Sequence, residues 1–307
     1  MLTLFAIPKP FVGHIGIIQR NAIKSWTLLR PRCEIILLGD DEGTADAAKE
    51  FGVEHIAEIA RNEFGTPLLN DMFKKVEKLS NHELCCFVNS DIILMNDFTE
   101  AAQRVVGWKH DFLMGGRRWD VDVNEVLDYG PTWREELRAH VASQGQLHSP
   151  AGIDYFVFRR GFWGDIPPFA IGRIGYDNWL LYRARSRGAV LIDATPILMA
   201  VHQNHNYSHH PDGIQGQRNG AEAKRNFELA GGTSHIFTLR DATHVMTVNG
   251  PKLALDWRHL WCRLAALPAL YPRLGLPIRA LLIARNLSRP VRGRLGLTLS
   301  ERGSRHG

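Results

Sequence analysis

A carboxylate directly after a strand-like apolar run is the first candidate for chemistry in this sequence. Asn89, Ser90 and Asp91 follow the apolar run 84–88 and precede a second apolar run, 92–94. Apolar residues on both sides fix Asp91 at the edge of a predicted sheet, facing a crevice. A carboxylate held there can bind a hard divalent cation, which in turn can neutralise phosphate oxygens. We therefore predict Asp91 as a metal ligand; the alternative is a plain polar turn, because Asn, Ser and Asp all favour turns.

A second pair of carboxylates, Asp40 and Asp41, ends the second predicted strand, 34–38. A carboxylate at such a position can accept hydrogen bonds from a ribose hydroxyl or from a base N–H. The alternative is an Asx-type turn, helped by the neighbouring Gly39 and Gly43. Both interpretations stay open for this pair.

The end of the first predicted strand, 2–7, offers further contacts to a nucleotide. Backbone groups at Ala6, Ile7 and Pro8 could meet a base, and Lys9 could meet a phosphate. A solvent-exposed proline turn explains the same residues without a ligand.

The stretch "GRIGYDNWLL" places Asp177 after a glycine-rich loop and before a helix. A carboxylate aimed into a cleft can act as a general base toward a hydroxyl nucleophile. The alternative is an N-cap aspartate, and one residue can do both. Arg173 in the same loop could pair with a phosphate in bidentate fashion, or it could be a surface arginine.

The stretch "VHQNHNYSHH" puts His202 at the end of a predicted strand, with His205, His209 and His210 behind it. His-x-x-His without cysteines is not a convincing zinc signature. A strand end holds its side chain firmly, so His202 is the best metal-ligand candidate of the group. The alternative is a polar loop that happens to be rich in histidine.

The stretch "GGRRWDVDV" combines a tryptophan with acidic and basic groups: Arg117, Arg118, Trp119 and Asp120. An aromatic ring can stack on the C–H face of a sugar while carboxylates accept its hydroxyls. A structural tryptophan beside a surface salt bridge is the alternative. Basic residues and aromatics are not interleaved here, so nucleic acid is a poor candidate ligand.

Strand-like and helix-like patterns alternate along the first 200 residues. The predicted strands are 2–7, 34–38, 84–88, 111–114, 155–158, 189–192 and 197–201. The predicted helices are 15–29, 45–51, 67–79, 133–144, 177–187 and 222–229, the third with Thr66 as N-cap and Pro67 as first helical residue. Residues 235–248 predict one or two strands, or an extended segment. This alternation predicts βαβ units in an open, mostly parallel twisted sheet flanked by helices, whose ligands bind beyond the carboxyl ends of the strands.

Composition sets limits on the class of protein. With 45% hydrophobic and 22% charged residues the chain is typical of a soluble globular protein. No run of about 18 apolar residues occurs, and residues 1–11 lack the basic region and the length of a signal peptide, which predicts a cytoplasmic protein. The cysteines form no CxxC pair, so small buried hydrophobes are expected rather than a zinc site or disulfides.

Charge separates the end of the chain from its body. The net charge is +5, yet residues 251–307 hold eleven Lys and Arg against Asp256 and Glu301, which leaves the body mildly acidic. Leucine and tryptophan lie between these arginines, and prolines 268, 272 and 277 are expected to break the tail into short helices before a disordered end. Such a tail can lie at the inner, anionic face of a membrane, at about 1 kcal/mol per charge. The alternative is a packed helix with a disordered basic end.

Taken in order over about residues 2–210, these stretches resemble the GT-A-type nucleotide-diphospho-sugar transferase superfamily. These are α/β glycosyltransferases that carry a DxD motif after a core strand, and Asn89-Ser90-Asp91 takes that position with Asn in place of the first acid. "ILLGDDEG" is similar to the second strand, whose acidic end helps to hold the nucleoside. "GRIGYDNWL" resembles the segment that carries the catalytic acid residue in inverting members. "ILMAVHQNH" resembles the late strand whose histidine completes the metal site in several families.

The resemblance implies a glycosyltransferase that moves a sugar from a nucleotide-diphospho-sugar to an acceptor hydroxyl, in glycan or glycolipid synthesis. A divalent cation, Mn²⁺ or Mg²⁺, on Asp91 and His202 would stabilise the leaving diphosphate, and Asp177 would deprotonate the attacking hydroxyl with inversion at the anomeric carbon. The implied donor contacts are Ala6, Ile7, Pro8, Lys9, Asp40, Asp41, Asn70, Asn89, Ser90 and Arg173. The implied acceptor-side contacts are Arg117, Arg118, Trp119, Asp120, Asp154 and Asn178.

The expected organisation is one transferase domain over 1–250, with a nucleotide-binding half (1–110) and an acceptor half (111–250), followed by the basic tail. A lipid-linked acceptor would lie near a membrane-bound tail. A sugar-nucleotide nucleotidyltransferase is an alternative, but it should show an N-terminal Gly-rich loop, and "FAIPKPFVGHIG" offers only Gly13 and Gly16. A non-catalytic protein that binds sugar nucleotides or glycans is the other alternative, and Asn89 keeps it open.

Overall fold

Strands and helices alternate along residues 2–205 and 220–272, the residues that the computed structural model describes. The strands are β1 Leu2–Ala6, β2 Glu34–Leu38, β3 Glu54–Ile56, β4 Leu84–Val88, β5 Ile92–Ile93, β6 Phe112–Gly115, β7 Arg118–Val121, β8 Gln146–Leu147, β9 Tyr155–Arg159, β10 Val190–Asp193, β11 Ala200–Gln203, β12 His244–Thr247 and β13 Gly250–Leu253. The α-helices are α1 Gly13–Thr27, α2 Thr44–Phe51, α3 Leu69–Leu79, α4 Asn96–Gln103, α5 Trp133–Gln144, α6 Tyr176–Ser186, α7 Ala221–Ala230 and α8 Trp257–Leu270.

Nine strands form the main sheet, in the order β13-β12-β10-β6-β9-β4-β1-β2-β3. Neighbours are parallel except that β9 runs antiparallel to both β4 and β6, and β13 is antiparallel to β12. The predicted mostly parallel α/β sheet flanked by helices is therefore confirmed. Because β9 is reversed, its first residues lie at the edge where β4 and β6 end. That edge is called the site rim below.

Alternation along the central strands divides the core between the two faces of the sheet. Phe5 of β1 joins a cluster with α3 and α6, whereas its neighbours Leu4 and Ala6 join a cluster with α1 and α4. β1 and β4 are buried along their whole length, as expected for inner strands covered by helices on both sides. The sheet is thus a rigid platform for the loops at the site rim.

A smaller sheet, in the order β5-β11-β7-β8, stands beside the site rim. β5 begins directly after Asp91, and β7 follows β6 after two residues, so both sheets are held by short links. One link passes close to Tyr155, which is fully buried: a Cβ on Gly116 would collide with its hydroxyl. Glycine is needed at this position because the backbone packs directly against the buried Tyr155 side chain and leaves no space for a Cβ atom.

Two expectations about elements are corrected, and one is confirmed. Thr66 and Pro67 do not begin α3, whose N-cap is Leu68. Instead the segment forms bridges, Pro67 with Arg61 and Leu68 with Ala170, and the Pro67 carbonyl accepts a hydrogen bond from the backbone of Ile171. The prediction of one or two strands within 235–248 is confirmed by β12, while short 3₁₀ helices occupy Thr233–His235 and Leu239–Asp241.

The second correction concerns the tail. Pro268 does not break α8, because it lies in the last turn and the helix continues to Leu270. The predicted boundary after residue 250 falls inside β13, and the main sheet takes strands from both predicted halves. The expectations for Pro277, the disordered end, His209 and His210 lie outside the described residues. All four cysteines are free thiols, and burial raises their pKa values.

No helix among the described residues is both long enough and apolar enough to cross a bilayer.

Candidate active site

Asp91, His202 and His205 come together at the site rim. Asp91 follows β4, and the two histidines lie on and just after β11, which pairs with β5 directly behind Asp91. Asp91 Oδ2 is 3.2 Å from His205 Nε2 and 3.9 Å from His202 Nε2, and one ligand atom from each residue lies within 4.8 Å of the others. The other carboxylate oxygen, Oδ1, is buried without a hydrogen-bond partner in the described chain. Two imidazoles, a carboxylate and an unsatisfied buried oxygen are a donor set that fits a divalent cation.

The charges around Asp91 keep it ionised. Burial alone would raise its pKa, but the hydrogen bond from His205 and the charges of His202 and Lys9 outweigh burial and hold the pKa well below its usual range. Asp91 is therefore a carboxylate at any physiological pH, as a metal ligand must be.

Asp120 holds His202 from the opposite side of the ring. His202 and Asp120 are register partners on the parallel strands β11 and β7, and Nδ1 of His202 is 3.0 Å from Asp120 Oδ1. Asp120 also contacts Arg118 Nε at 2.8 Å and His148 Nδ1 at 2.5 Å. Burial opposes ionisation of Asp120, but these partners hold its pKa well below the usual range. A carboxylate in this position behind a histidine can orient the ring toward a metal.

Asp154 links Asn89 to Arg118. It precedes the reversed strand β9, which is why it reaches the site rim. Its two carboxylate oxygens accept hydrogen bonds from Asn89 Nδ2 at 2.5 Å and from Arg118 Nη1 at 2.8 Å. The backbone N–H of Asn89 donates to the Asp154 carbonyl at 2.9 Å. Asn89 thus serves as a hydrogen-bond donor to an acid, a role that an aspartate could not fill.

Gln19 on α1 ties the loop after β1 to the loop after β4. Its Oε1 accepts from the Lys9 backbone N–H at 2.7 Å and from the Ser90 hydroxyl at 2.8 Å, and its Nε2 donates to the Lys9 carbonyl at 2.8 Å. The Lys9 ammonium lies within electrostatic range of Asp91 and Asp154, although burial dominates and lowers its pKa. A cation is thus placed beside Asp91.

Asp177 lies in the first turn of α6. Gly175, at φ +105°, is the N-cap of this helix, and its left-handed conformation turns the chain into α6. Asp177 Oδ1 is shielded from solvent and has no hydrogen-bond partner in the described chain. Burial, reinforced by the charge of Asp154, raises its pKa to about 6. A carboxylate with this pKa can take a proton near neutral pH and release it again.

The hydroxyl of Tyr176 interacts electrostatically with Asp177 and also with Asp91, which forms a cluster with His202 and His205 (the Asp91 cluster). Burial raises the pKa of this hydroxyl, and the negative charges of Asp177, Asp154 and Asp91 raise it further. A single side chain thus lies within electrostatic range of all three carboxylates. The convergence of Asp91 and Asp177 on one binding site stays a prediction.

Asp40 and Asp41 lie at the end of β2, next to β1 in the sheet, and both contact Arg61. The distances from Arg61 Nη2 are 2.6 Å to Asp40 and 3.0 Å to Asp41. The hydrogen bond from Arg61 lowers the pKa of the exposed Asp40 carboxylate. Their contact with a nucleoside stays a prediction, as do the backbone contacts of Ala6, Ile7 and Pro8.

Trp119 is a correction. Successive residues of β7 face opposite ways, so Arg118 and Asp120 face His202 while Trp119 packs with the small core of Val121, Val201 and α5. The ring is therefore not placed to stack on a ligand beside Asp91. Arg117 also has a structural role, because its guanidinium donates to the His148 carbonyl at 2.5 Å and its backbone N–H to Thr195.

Three further predicted contacts lie elsewhere, and two of them have other partners. Arg173 forms an ion pair with Glu222, with Nη2 2.6 Å from Oε2, so its guanidinium is not open to a phosphate. Asn178 donates to the Phe237 carbonyl at 2.7 Å and fastens α6 to the following segment. Asn70 lines a cavity of about 370 Å³ beneath α3, together with Phe73 and Trp163. No contact joins these three to the Asp91 cluster within the described residues.

Sequence reasoning missed several members of the site. The spacing His202-x-x-His205 after a strand is the one sequence signal for His205 as a third candidate ligand, and without cysteines it does not indicate a zinc site. Nothing in the sequence marks Gln19, His148 or Tyr176, because each acts through residues that are distant along the chain. Gly13 and Gly16 lie within α1 and form no phosphate-binding loop.

Neither the protein-family models nor the curated proteins contain a match to this sequence. Among solved structures, the chain is similar to glucosyl-3-phosphoglycerate synthase from Mycobacterium tuberculosis in complex with Mn²⁺, UDP and phosphoglyceric acid, with 14% identity, a TM-score of 0.46, and 76% of this chain and 79% of that chain covered. It is also similar to a mannosyltransferase from Pyrobaculum calidifontis in complex with GDP-mannose and Mn²⁺, with 13% identity, a TM-score of 0.46, and 95% and 81% covered.

A third similar structure is CMP-2-keto-3-deoxy-manno-octonic acid synthetase complexed with CTP, with 12% identity, a TM-score of 0.36, and 66% of this chain and 90% of that chain covered. Glycosyltransferases, the class that the sequence resembles, are thus among the solved structures that the chain matches. At such identities and TM-scores, nothing about the activity of this chain follows from these proteins.

Proposed function

We propose that this protein is a metal-dependent glycosyltransferase that moves a sugar from a nucleotide-diphospho-sugar to an acceptor hydroxyl. One observation supports the proposal: a cluster of side chains that could hold a divalent cation lies at the rim of a mostly parallel sheet, and Asp177, a buried carboxylate with a raised pKa, lies in the first turn of a helix on the same sheet. Transfer from a nucleotide-diphospho-sugar needs both, because a diphosphate must leave while a hydroxyl loses its proton.

Asp91, His202 and His205 would hold the cation. Two of the three ligands are imidazoles, which bind transition-metal ions more readily than Mg²⁺, so of the two ions that the sequence suggests Mn²⁺ is the one proposed. The bound ion would supply positive charge to the leaving diphosphate. Asp120 keeps the His202 ring in place from its other nitrogen, and Arg118 keeps Asp120 in place.

Asp177 is the proposed general base. Its unpartnered Oδ1 would accept the proton of the acceptor hydroxyl while the oxygen attacks the anomeric carbon, and a pKa of about 6 leaves it ionised at neutral pH. Attack from the side of Asp177, opposite the departing diphosphate, would invert the anomeric configuration.

The donor and the acceptor would occupy different parts of the rim. Lys9, beside Asp91, is the proposed partner of the donor phosphates, and the end of β2 with Asp40 and Asp41 is the proposed nucleoside side. The acceptor would approach between Asp177 and Asp154. Synthesis of glycans or glycolipids in the cytoplasm is the proposed setting.

The direct test measures nucleoside diphosphate release from a panel of UDP-, GDP- and dTDP-sugars. Each donor is offered with Mn²⁺, with Mg²⁺ and with EDTA, and with a panel of soluble glycan acceptors. We expect release from one donor, faster with Mn²⁺ than with Mg²⁺ and abolished by EDTA. Asp46→Asn, at an exposed position on α2, is the control that should behave as wild type.

Two results would overturn the proposal. Binding of a sugar nucleotide without any release of diphosphate would identify a non-catalytic binding protein. Release of pyrophosphate from a nucleoside triphosphate and a sugar phosphate would identify a nucleotidyltransferase. Isothermal titration of Mn²⁺ into wild type and His205→Ala tests the third ligand separately from any turnover.

A further inference from the structure

Large apolar side chains are exposed together on the segment from the end of β13 into α8. The exposed fractions are 50% for Leu253, 65% for Leu255, 67% for Trp257 and 41% for Leu260. These four residues are called the α8 patch. Exposed apolar residues scattered one by one are ordinary, but four within one short stretch mark an interaction surface.

Helix α8 adds to this surface. It is rich in leucine and contains two tryptophans, yet Ala266 is the one buried residue among its fourteen. Trp257 and Trp261 meet edge to face, with ring centroids 5.0 Å apart. The later part of the helix is half-buried, with Ala269 and Leu270 packed against the core, so the exposed apolar surface is concentrated at Trp257 and Leu260 in its first turn.

Positive charge surrounds the α8 patch. Lys252 and Arg258 are exposed beside it, while the nearby Asp256 accepts hydrogen bonds from the backbone at the start of α8. In the sequence that follows, residues 273–307 hold eight arginines against Glu301 alone. Tryptophan and leucine beside lysine and arginine are typical of helices that lie in the interface of an anionic membrane.

A second copy of the chain is a poorer occupant. β13 is the edge strand of the main sheet, where a second copy could pair. Pro251 and Lys252 lie on that edge, and proline and lysine on edge strands oppose pairing between sheets. The net positive charge on the segment and on the sequence beyond it also disfavours contact with an identical surface.

We propose that the α8 patch docks onto an anionic lipid bilayer. Trp257 and Leu260 enter the interface, and the arginines beyond residue 272 strengthen binding to acidic headgroups. Leu253 pairs with His244, and the register continues through Ile192, so the patch begins on the outermost strand of the main sheet, level with the middle of β4. The inference does not depend on the proposed sugar transfer.

The test is flotation of the full chain with vesicles of phosphatidylcholine alone, and of phosphatidylcholine with about 30% phosphatidylserine. We expect flotation with the anionic vesicles only. The double variant Trp257→Gln/Leu260→Gln should reduce partitioning by about tenfold or more, because its apolar anchors are lost. Val126→Gln, which changes a valine that is 68% exposed on another surface, is the matched control and should float as wild type.

Other outcomes would contradict the proposal. Wild-type flotation by the double variant, together with loss of flotation when arginines 285, 289, 292 and 294 become glutamine, would assign binding to those arginines alone. Equal flotation with both vesicle types would exclude recognition of anionic lipid. A dimer in light scattering that the double variant dissociates, without vesicle binding, would make the patch an interface between copies. Thermal unfolding of the double variant, followed by circular dichroism, should equal that of wild type and confirms that it is folded.

Discussion

Asp91 and Asp177 are carboxylates beside the same sheet, yet their surroundings drive their pKa values apart. Around Asp91 two histidines and Lys9 favour the charged form and hold its pKa well below the usual range. Around Asp177 burial dominates, Asp154 adds negative charge, and the pKa rises to about 6. Two acids in such different environments can have different roles in one site. One stays charged and can bind a cation, and the other can accept and release a proton.

The largest effect should follow from Asp91→Asn, which removes the charged ligand but keeps the size of the side chain. We expect Mn²⁺ affinity to fall by at least about 100-fold, because even supporting residues around metal ligands cost 10–100-fold. Titration calorimetry with Mn²⁺ measures the loss, and Asp46→Asn serves as the exposed control. Unchanged affinity would show that Asp91 is not a ligand.

Asp177→Asn should separate turnover from binding. We expect turnover to fall by about 10² to 10⁴-fold, the usual contribution of a general base, while Mn²⁺ affinity stays as in wild type. Single-turnover kinetics at saturating donor and metal gives the first number and titration the second. Equal turnover in variant and wild type would remove the assignment of Asp177 as the base.

The pH profile sharpens the same assignment. Because the base must be ionised, the rate should rise about tenfold per pH unit below pH about 6 and level off above it. At saturating Mn²⁺ this limb should be absent from the residual rate of Asp177→Asn. A limb at the same pH in the variant would assign the titration to another group.

Folding stability should show the opposite trend with pH. The folded pKa of Asp177 is raised from 3.8 to about 6, so the folded state binds the proton more tightly than the unfolded chain. The stabilisation from this proton is full below pH 3.8 and is lost as the pH rises to about 6. Asparagine removes this dependence, and the melting temperature of the variant at pH 7 should equal or exceed that of wild type.

Asn89→Asp should have a smaller effect, a decrease in folding stability. The sequence motif alone would not predict this decrease. The change restores the first acid of a DxD motif but sets a carboxylate against Asp154, where the amide now donates at 2.5 Å. We expect a loss of about 1–3 kcal/mol in the free energy of unfolding, from the lost donor and the like charges. Chemical denaturation measures it.

The double variant Asn89→Asp/Asp154→Asn exchanges donor and acceptor. It should recover most of the stability lost in Asn89→Asp, since a donor again faces a carboxylate. No recovery would show that the pairing of residues 89 and 154 is not what favours asparagine.

The difference between Asn89 and Asp91 also shows how far sequence reasoning reaches. Strand ends are local features: an apolar run stops and a polar residue follows, so β4, Asp91 and Asp177 could be predicted from short stretches. Partners across the sheet could not. Asp154 faces Asn89 because β9 runs in the reversed direction. His202 faces Asp120 because of the register between two strands of the small sheet. Neither property has a local signal in the chain.

The smallest effect on activity is expected at Trp119. The sequence suggested a sugar-stacking ring, but alternation along β7 places this ring in the small core with Trp133, away from Asp120. Trp119→Leu and the matched Trp133→Leu should each lower stability by about 1–3 kcal/mol, as trimmed core side chains do. Both should leave KM for donor and acceptor within about twofold, because neither ring faces the rim. A tenfold rise in KM for Trp119→Leu alone would mean that the ring reaches a substrate after all, and that β7 presents both of its faces to the site.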